Sequence, residues 1–238
     1  MAIMAIIIKD DEELALMREA GRIVAITLAR LSEMVKPGIT TAVLDAVAEE
    51  TIRQHGAIPS FKGYSGFPAS LCTSINEEVV HGIPSPFRVL TEGDIVSLDV
   101  GAIYQGWHGD AAITVPVGKT SRLAEKLIDV TREALRRGIA KARSGRHLSD
   151  ISWAIQSYVE SKGFSVVRQY VGHGIGRKMH EDPQIPNFGP PGTGPLLKPG
   201  MTLALEPMVN VGTYRTVVRP DKWTVVTEDK LLSAHFEH

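Results

Sequence analysis

Hydrophobic positions near the start of the chain recur every three or four residues, as they do along one face of a helix. The apolar residues from Leu14 to Val35 follow this spacing, which predicts a helix with one buried face. Asp10 precedes it and Pro37 follows it, as expected for the two ends of a helix. Three further stretches show the same periodicity. The four predicted helices cover residues 10–35, 40–55, 122–141 and 148–162.

Shorter apolar runs lie between and after these helices, and glycine, proline or polar residues bound them. Runs of this length and composition are typical of strands. They follow the first pair of helices and again the second pair, so the order of elements occurs twice. The predicted strands cover residues 71–75, 95–104, 111–117, 165–171, 201–211, 223–227 and 231–236.

The order of elements recurs at a fixed offset of 107 residues. One glycine pair at this offset would carry little weight in a chain with 22 glycines, but four landmarks share it. We therefore expect an α+β fold made of two related halves, residues 10–117 and 121–238, each with helices and antiparallel strands. The short linker between them predicts one shared core and a single domain over residues 1–238. The landmark pairs are Gly38 and Gly145, Gly56 and Gly163, Gly93 and Gly200, and Asp99 and Glu206.

Composition excludes several classes of protein. The 26 basic and 27 acidic side chains leave a net charge of −1, which gives no support for stable nucleic-acid binding. A single cysteine, Cys72, excludes an internal disulfide framework, and a reducing compartment fits best. The N-terminus lacks the pattern of a signal peptide, and no apolar stretch is long enough to span a membrane. We expect a cytoplasmic monomer without a membrane partner.

Four acidic residues stand in runs that otherwise predict buried strands. Asp99 lies within IVSLDVG and Asp110 within WHGDAAITV, and a turn at residues 105–106 would join the two runs as a hairpin. A two- or four-residue loop places both carboxylates on the same sheet face, opposite or diagonally adjacent. Glu206 and Glu237 repeat the pattern in later strands. Carboxylates this close repel one another, so one stays protonated unless a cation intervenes.

Each acid alone has an ordinary explanation, either an ion pair with arginine or an exposed edge strand. Four such acids favour a shared metal site, because buried charges are paired or bind metals. His173 adds a nitrogen ligand, and its GHGIGR context differs from a GxGxxG nucleotide loop. Its flanking glycines leave the imidazole unobstructed and allow unusual backbone angles. Oxygen and nitrogen ligands favour Mn, Fe, Co or Zn, and four carboxylates balance two divalent ions, which convert water into a nucleophile near neutral pH.

Seven short motifs carry a family resemblance. They are NEEVVHGIP at 76–84, DVG at 99–101, WHGD at 107–110, GHGIGR at 172–177, HEDP at 180–183, LEP at 205–207 and SAHFE at 233–237. Through them the chain resembles the methionine aminopeptidases of the bacterial type I group. The resemblance implies the pita-bread fold, in which two α+β halves related by a pseudo-twofold axis hold the metals between them. It also implies removal of the initiator methionine from nascent polypeptides when the second residue is small. Two divalent ions (Co, Mn, Fe, Zn or Ni) are the implied cofactor, and the ribosome is an implied partner.

The same motifs imply a role for individual residues. Asp110 and Glu237 would bridge both ions, and Glu206 would also act as general base for the attacking water. His180 would stabilise the tetrahedral intermediate, and His81 would contact the substrate backbone beside the scissile amide. The five implied metal ligands are Asp99, Asp110, His173, Glu206 and Glu237.

The resemblance further implies a pocket for the methionine side chain. A thioether packs well against aromatic edges and sulfur, whereas without the resemblance the same residues would be assigned to the core. Cys72 would be part of the pocket wall, because no histidine–cysteine hydrolase motif surrounds it. Where this chain has Phe61, relatives often carry a second cysteine, so we expect a narrower pocket here. Where this chain has Met179, relatives usually carry an aromatic residue. The implied lining residues are Tyr64, Phe67, Cys72, Met179 and Trp223.

Two other functions stay open at this point. An aminopeptidase P or prolidase shares the ligand set, although such enzymes usually have an additional N-terminal domain. A non-catalytic binding module on the same fold should have lost ligands, whereas this chain keeps all five. The residues therefore favour a methionine-specific exopeptidase.

Overall fold

The computed structural model describes residues 6–238. Within this range every helix is either too short or too polar to cross a lipid bilayer. The helices are α1 (Asp11–Met34), α2 (Thr41–Gln54), α3 (Arg122–Lys141) and α4 (Leu148–Ser161). The strands are β1 (Ile58–Pro59), β2 (Leu71–Ile75), β3 (Glu78–Val80), β4 (Ile95–Tyr104), β5 (Trp107–Pro116), β6 (Ser165–Val166), β7 (Gly172–Gly174), β8 (Glu181–Ile185), β9 (Leu203–Ala204), β10 (Met208–Asn210), β11 (Thr216–Val218), β12 (Val225–Thr227) and β13 (Ser233–His235).

Helix α1 begins with a capping box. The Asp10 carboxylate accepts a hydrogen bond from the backbone N–H of Glu13 at 2.9 Å, and the Glu13 carboxylate accepts one from the backbone N–H of Asp10 at 3.1 Å. This arrangement satisfies donors that the first turn leaves free. Ile23 and Leu31 on its apolar face are fully buried, and the helix packs against β4 and β5. The helix and both its ends agree with the prediction from the sequence.

The central sheet is built on β4. Strand β5 pairs with its whole length, while β2 and β1 pair antiparallel with successive parts of β4. The β4–β5 hairpin turns through two residues, Gln105 and Gly106, whose φ angles are 49° and 83°. Two consecutive positive φ angles are typical of a type I′ turn. The predicted hairpin is therefore present, and β5 begins four residues earlier than expected.

The 107-residue offset is visible in the backbone hydrogen bonds. Gly38 N–H donates to Leu90 O at 2.8 Å, and Gly145 N–H donates to Leu197 O at 2.9 Å. Helices α2 and α4 begin and end at positions that differ by the same number. Corresponding residues thus make corresponding contacts in the two stretches of chain.

Two hydrophobic clusters contain the buried faces of the helices. One joins α1 and α2 to β2, β4 and β5, and the other joins α3 and α4 to β6, β10 and β13 and also includes Ile95 of β4. Gly109 on β5 allows α1 to approach the sheet closely. A Cβ atom at Gly109 would lie 2.7 Å from the backbone of Ala20 and Gly21. Glycine is therefore needed beside Asp110 for steric reasons.

Four predicted strands are shorter in the structure, of which 223–227 retains β12 and 231–236 retains β13. The run 201–211 is divided into β9 and β10, because Pro207 lacks the N–H that would continue the ladder, and Glu206 lies in the gap. The run 165–171 contributes only β6, and residues 167–171 lead to β7 as irregular chain. Glu206 therefore lies between two strands, whereas His173 is the middle residue of β7.

Candidate active site

The β4–β5 hairpin brings two carboxylates to one face of the central sheet. Asp99 lies opposite Ala112, and Gly101 lies opposite Asp110. Residues paired in this way share a face, so Asp99 and Asp110 are diagonal neighbours, as the sequence predicted. Diagonal neighbours in an antiparallel pair lie within reach of each other's side chains.

Glu237 joins the same face from the far end of the chain. Its backbone N–H donates to Ala112 O at 2.9 Å, and Ala112 N–H donates to Glu237 O at 3.3 Å. Asp99, Ala112 and Glu237 therefore form a row across three adjacent segments, which Cys72, the partner of Asp99 on β2, extends. The small side chain of Ala112 leaves space between the carboxylates of Asp99 and Glu237.

His173 comes from a different sheet, on β7 between β8 and β9. Its Nδ1 lies 2.8 Å from Gly174 O, so Nδ1 carries the proton and Nε2 is left as an acceptor. Nε2 lies 3.6 Å from Glu206 Oε1, which is too long for a hydrogen bond. A neutral imidazole with a free Nε2 is the form that binds metals.

The two glycines beside His173 serve a different purpose from the one expected. Neither has a positive φ angle, so unusual backbone conformation is not the reason for them. A Cβ atom at Gly172 would overlap Ala204 O, and one at Gly174 would overlap Asp182 O. The glycines therefore allow close packing of the neighbouring strands around the imidazole.

The five predicted ligands line one cavity of about 190 Å³. One potential ligand atom each from Asp110, His173 and Glu237 lies within 4.8 Å of the others, close enough to share an ion. Asp99 and Glu206 line the same cavity. The structure thus brings together residues that are up to 138 positions apart in the sequence.

Burial, and for three of the carboxylates the charges of the others, shifts their pKa values upward. Burial raises the pKa of Asp99 to about 7. Burial, followed by the charge of Asp99, raises the pKa of Asp110 and of Glu206 well above the usual range. Burial and the charges of the other carboxylates, Asp110 first, do the same for Glu237. A bound cation would relieve this repulsion and keep all four ionised.

Within residues 6–238 no lysine or arginine forms an ion pair with these four carboxylates. Among the described residues that line the cavity there is no lysine or arginine. Buried oxygens of Asp99, Asp110 and Glu237 have no hydrogen-bond partner in the described part of the chain. Glu78 shows the contrast, because this fully buried acid pairs with Arg88 at 2.8 Å. The ordinary explanation therefore fits Glu78 and fails for the cavity, whose donor set suits a divalent metal.

Two further histidines and a tyrosine stand beside the carboxylates. Burial lowers the pKa of His81 to about 4 and lowers that of His180, so both are neutral at pH 7. The hydroxyl of Tyr64 lies 2.7 Å from His180 Nδ1, and the His180 and His173 ring centroids are 4.3 Å apart. Tyr64 was predicted only as a lining residue, and its contact with His180 gives no signal in the sequence.

The remaining wall of the cavity is apolar. Phe67 and Trp223 pack edge to face with centroids 5.1 Å apart, and Cys72 and Met179 are both 4% exposed. Phe61 also lines the cavity, as does Ser65; Ser65 was not predicted, because no motif includes it. A pocket of aromatic rings, a thiol and a thioether suits a flexible apolar side chain.

Comparison with known proteins places this cavity in a family. The chain belongs to metallopeptidase family M24, whose match covers residues 15–237. Members of this family use divalent metal ions. The fold and the donor set of the cavity are therefore those of a metallopeptidase.

Within the family the chain is similar to methionine aminopeptidases. That of Clostridium acetobutylicum is 60% identical over 233 residues, 98% of this chain and 93% of the relative. The crystal structure of the Thermotoga maritima methionine aminopeptidase superposes with a TM-score of 0.97 at 50% identity, covering 98% of this chain and 94% of that one. These findings confirm the predicted family and its α+β pita-bread fold.

A more distant likeness concerns the fold alone. The prolidase from Pyrococcus furiosus has a TM-score of 0.76 at 23% identity, and the match covers 98% of this chain but only 61% of the prolidase. The proline-directed alternative thus shares the architecture without close similarity in sequence.

Proposed function

We propose that this chain hydrolyses the first peptide bond of nascent polypeptides and releases their N-terminal methionine when the second residue is small. One observation carries the proposal: four carboxylates and a neutral imidazole, without a protein cation, adjoin a pocket of aromatic and sulfur-containing side chains. The first group suits divalent metal, and the second suits a methionine side chain. The similarity to methionine aminopeptidases supports the same activity.

The proposed metal site would hold two divalent ions. Its ligands would be Asp99, Asp110, His173, Glu206 and Glu237, with Asp110 and Glu237 shared. Their four negative charges would balance two doubly charged cations. Bound ions of this kind lower the pKa of a coordinated water and polarise a carbonyl group. Co, Mn, Fe, Zn and Ni all suit this set of oxygen and nitrogen ligands.

The protein side chains complete the chemistry around the substrate. Glu206 accepts the proton of the attacking water as general base. His180, oriented by the Tyr64 hydroxyl, faces the scissile carbonyl and stabilises the charge that develops there. His81, held in a left-handed backbone conformation with φ 60°, contacts the substrate backbone beside the scissile amide. Trp223 and its neighbours in the pocket receive the methionine side chain.

A peptide assay with defined metals tests the proposal. Metal-free protein is supplied in turn with each divalent ion and offered Met-Ala-Ser or Ala-Pro-Ala. We expect release of methionine from the first peptide only. Cleavage of Ala-Pro-Ala instead would indicate a proline-directed enzyme, and no cleavage with any ion would indicate a binding module. Asp110→Asn should abolish turnover, whereas Asp129→Asn, at a side chain 72% exposed on α3, should preserve it.

Two expectations about partners remain predictions. The resemblance implies the ribosome as a partner, and a monomer is the default oligomeric state. Sedimentation of the protein alone and with purified ribosomes would test both.

A further inference from the structure

A buried ion pair lies behind the proposed active site. Lys9 Nζ and Glu181 Oε2 are 2.6 Å apart, and the two side chains are only 2% and 4% exposed. Lys9 lies two residues before α1, whereas Glu181 is the first residue of β8 and directly follows His180. The pair therefore connects the start of the chain to the segment that carries a proposed catalytic histidine.

Glu181 also closes the bend that presents His180. Its carboxylate accepts a hydrogen bond from the backbone N–H of Lys178 at 3.1 Å, and Gly176 N–H donates to Lys178 O at 3.1 Å. Burial alone would raise the pKa of Glu181, but the bonds from Lys9 and Lys178 outweigh it and lower the pKa. The ionised carboxylate thus fixes both ends of a turn whose tip holds Met179 and His180.

Lys9 is itself held in place by the main chain. Its backbone N–H donates to Gly200 O at 2.8 Å, in the loop that leads to β9. A Cβ atom at Gly176 would lie 2.6 Å from Glu181 Oε1 and 2.7 Å from Lys9 Cε. Glycine at position 176 therefore leaves space for the ion pair, and the chain at Gly176 and Gly200 packs against it.

Stability alone is a weak reason for such a pair. Removing two charges from water is expensive, and well-packed apolar residues often stabilise a fold as much or more. An apolar replacement could not accept the Lys178 bond that defines the bend. We propose that the Lys9–Glu181 pair is a positioning device that holds His180 in its working orientation. The inference rests on the role given to His180 in the proposed function.

The test is a double-mutant cycle between the ion pair and His180. Lys9→Met and Glu181→Gln should each lower kcat for Met-Ala-Ser by about 10- to 100-fold and change KM little. In a His180→Ala background neither substitution should lower kcat further by more than about twofold. The combined Lys9→Met and Glu181→Gln variant avoids a lone buried charge, so it serves if a single variant fails to fold. Thermal melting and calorimetric metal binding establish that each variant is folded and retains its metal site.

A matched control comes from the other buried acid. Arg88→Met removes one partner of Glu78 while Arg219 still pairs with it at 2.6 Å, so this variant should lose stability and keep kcat within about twofold. Unchanged kcat in folded Lys9→Met and Glu181→Gln variants would overturn the positioning role. So would equal kcat losses with and without His180. If His180→Ala itself keeps full kcat, the role of His180 fails instead, and the two failures are thereby distinguished.

Discussion

The Asp99→Asn substitution removes one carboxylate from the crowded side of the cavity. Burial raises the pKa of Asp99 from 3.8 to about 7, and one pKa unit corresponds to about 1.4 kcal/mol. In metal-free protein the ionised side chain therefore costs about 4 kcal/mol of folding stability at pH 8. At pH values below 3.8 the carboxyl group is protonated in both folded and unfolded chains, and the cost disappears.

The sign of the pH dependence follows from proton binding. Between pH 3.8 and about 7 the folded protein keeps a proton on Asp99 that the unfolded chain has released, so a rise in pH destabilises the fold. From pH 5 to pH 8 this one group accounts for a loss of about 2 to 3 kcal/mol. We expect urea unfolding of the metal-free wild type to show a loss of at least this size, reduced by that amount in Asp99→Asn.

Two controls make the assay decisive. Asp129→Asn removes an exposed carboxylate, so its stability profile should run parallel to that of the wild type. With saturating Mn²⁺ the wild type should become more stable than Asp99→Asn, because the metal stabilises the ionised ligand. If the stability of the metal-free wild type and of metal-free Asp99→Asn changed with pH in the same way, the claim that burial raises the pKa of Asp99 would be refuted.

Three other perturbations probe different parts of the site. Tyr64→Phe removes the hydroxyl that contacts His180 at 2.7 Å, and steady-state kinetics should show kcat/KM lowered by about 5- to 10-fold. Gly109→Ala places a Cβ atom 2.7 Å from the α1 backbone, and urea unfolding should show a loss of about 1 to 3 kcal/mol with turnover per folded molecule retained. Chelation should stop methionine release. Added divalent metal should restore this activity in the wild type but not in His173→Ala. Recovery of activity in that variant would show that His173 is not a metal ligand.

Local patterns in the sequence were enough to predict much of this arrangement. The apolar runs and the Gln105–Gly106 turn define the β4–β5 hairpin, and the alternation of a strand then fixes Asp99 and Asp110 on one face. The 107-residue offset predicted the correspondence of α2 and α4. Features that depend only on neighbouring residues and short turns can be predicted from the sequence, because they do not depend on contacts between distant segments.

The rest depends on contacts between distant segments. Glu237 pairs with Ala112 across 125 residues, and Lys9 meets Glu181 across 172 residues, at separations that leave no periodic signal. The division of the predicted strand 201–211 at Pro207 could have been foreseen from the missing N–H. The contact between Tyr64 and His180 could not, because it depends on how a loop folds over the finished cavity.

The number and position of the bound ions test the central claim most directly. Crystals soaked in Mn²⁺ and measured at the manganese absorption edge give an anomalous difference map that locates each ion. The account predicts two peaks within the cavity, both in contact with Asp110 and Glu237, and one of them in contact with His173. Peaks only at the protein surface, or none beside these carboxylates in an active crystal, would contradict it.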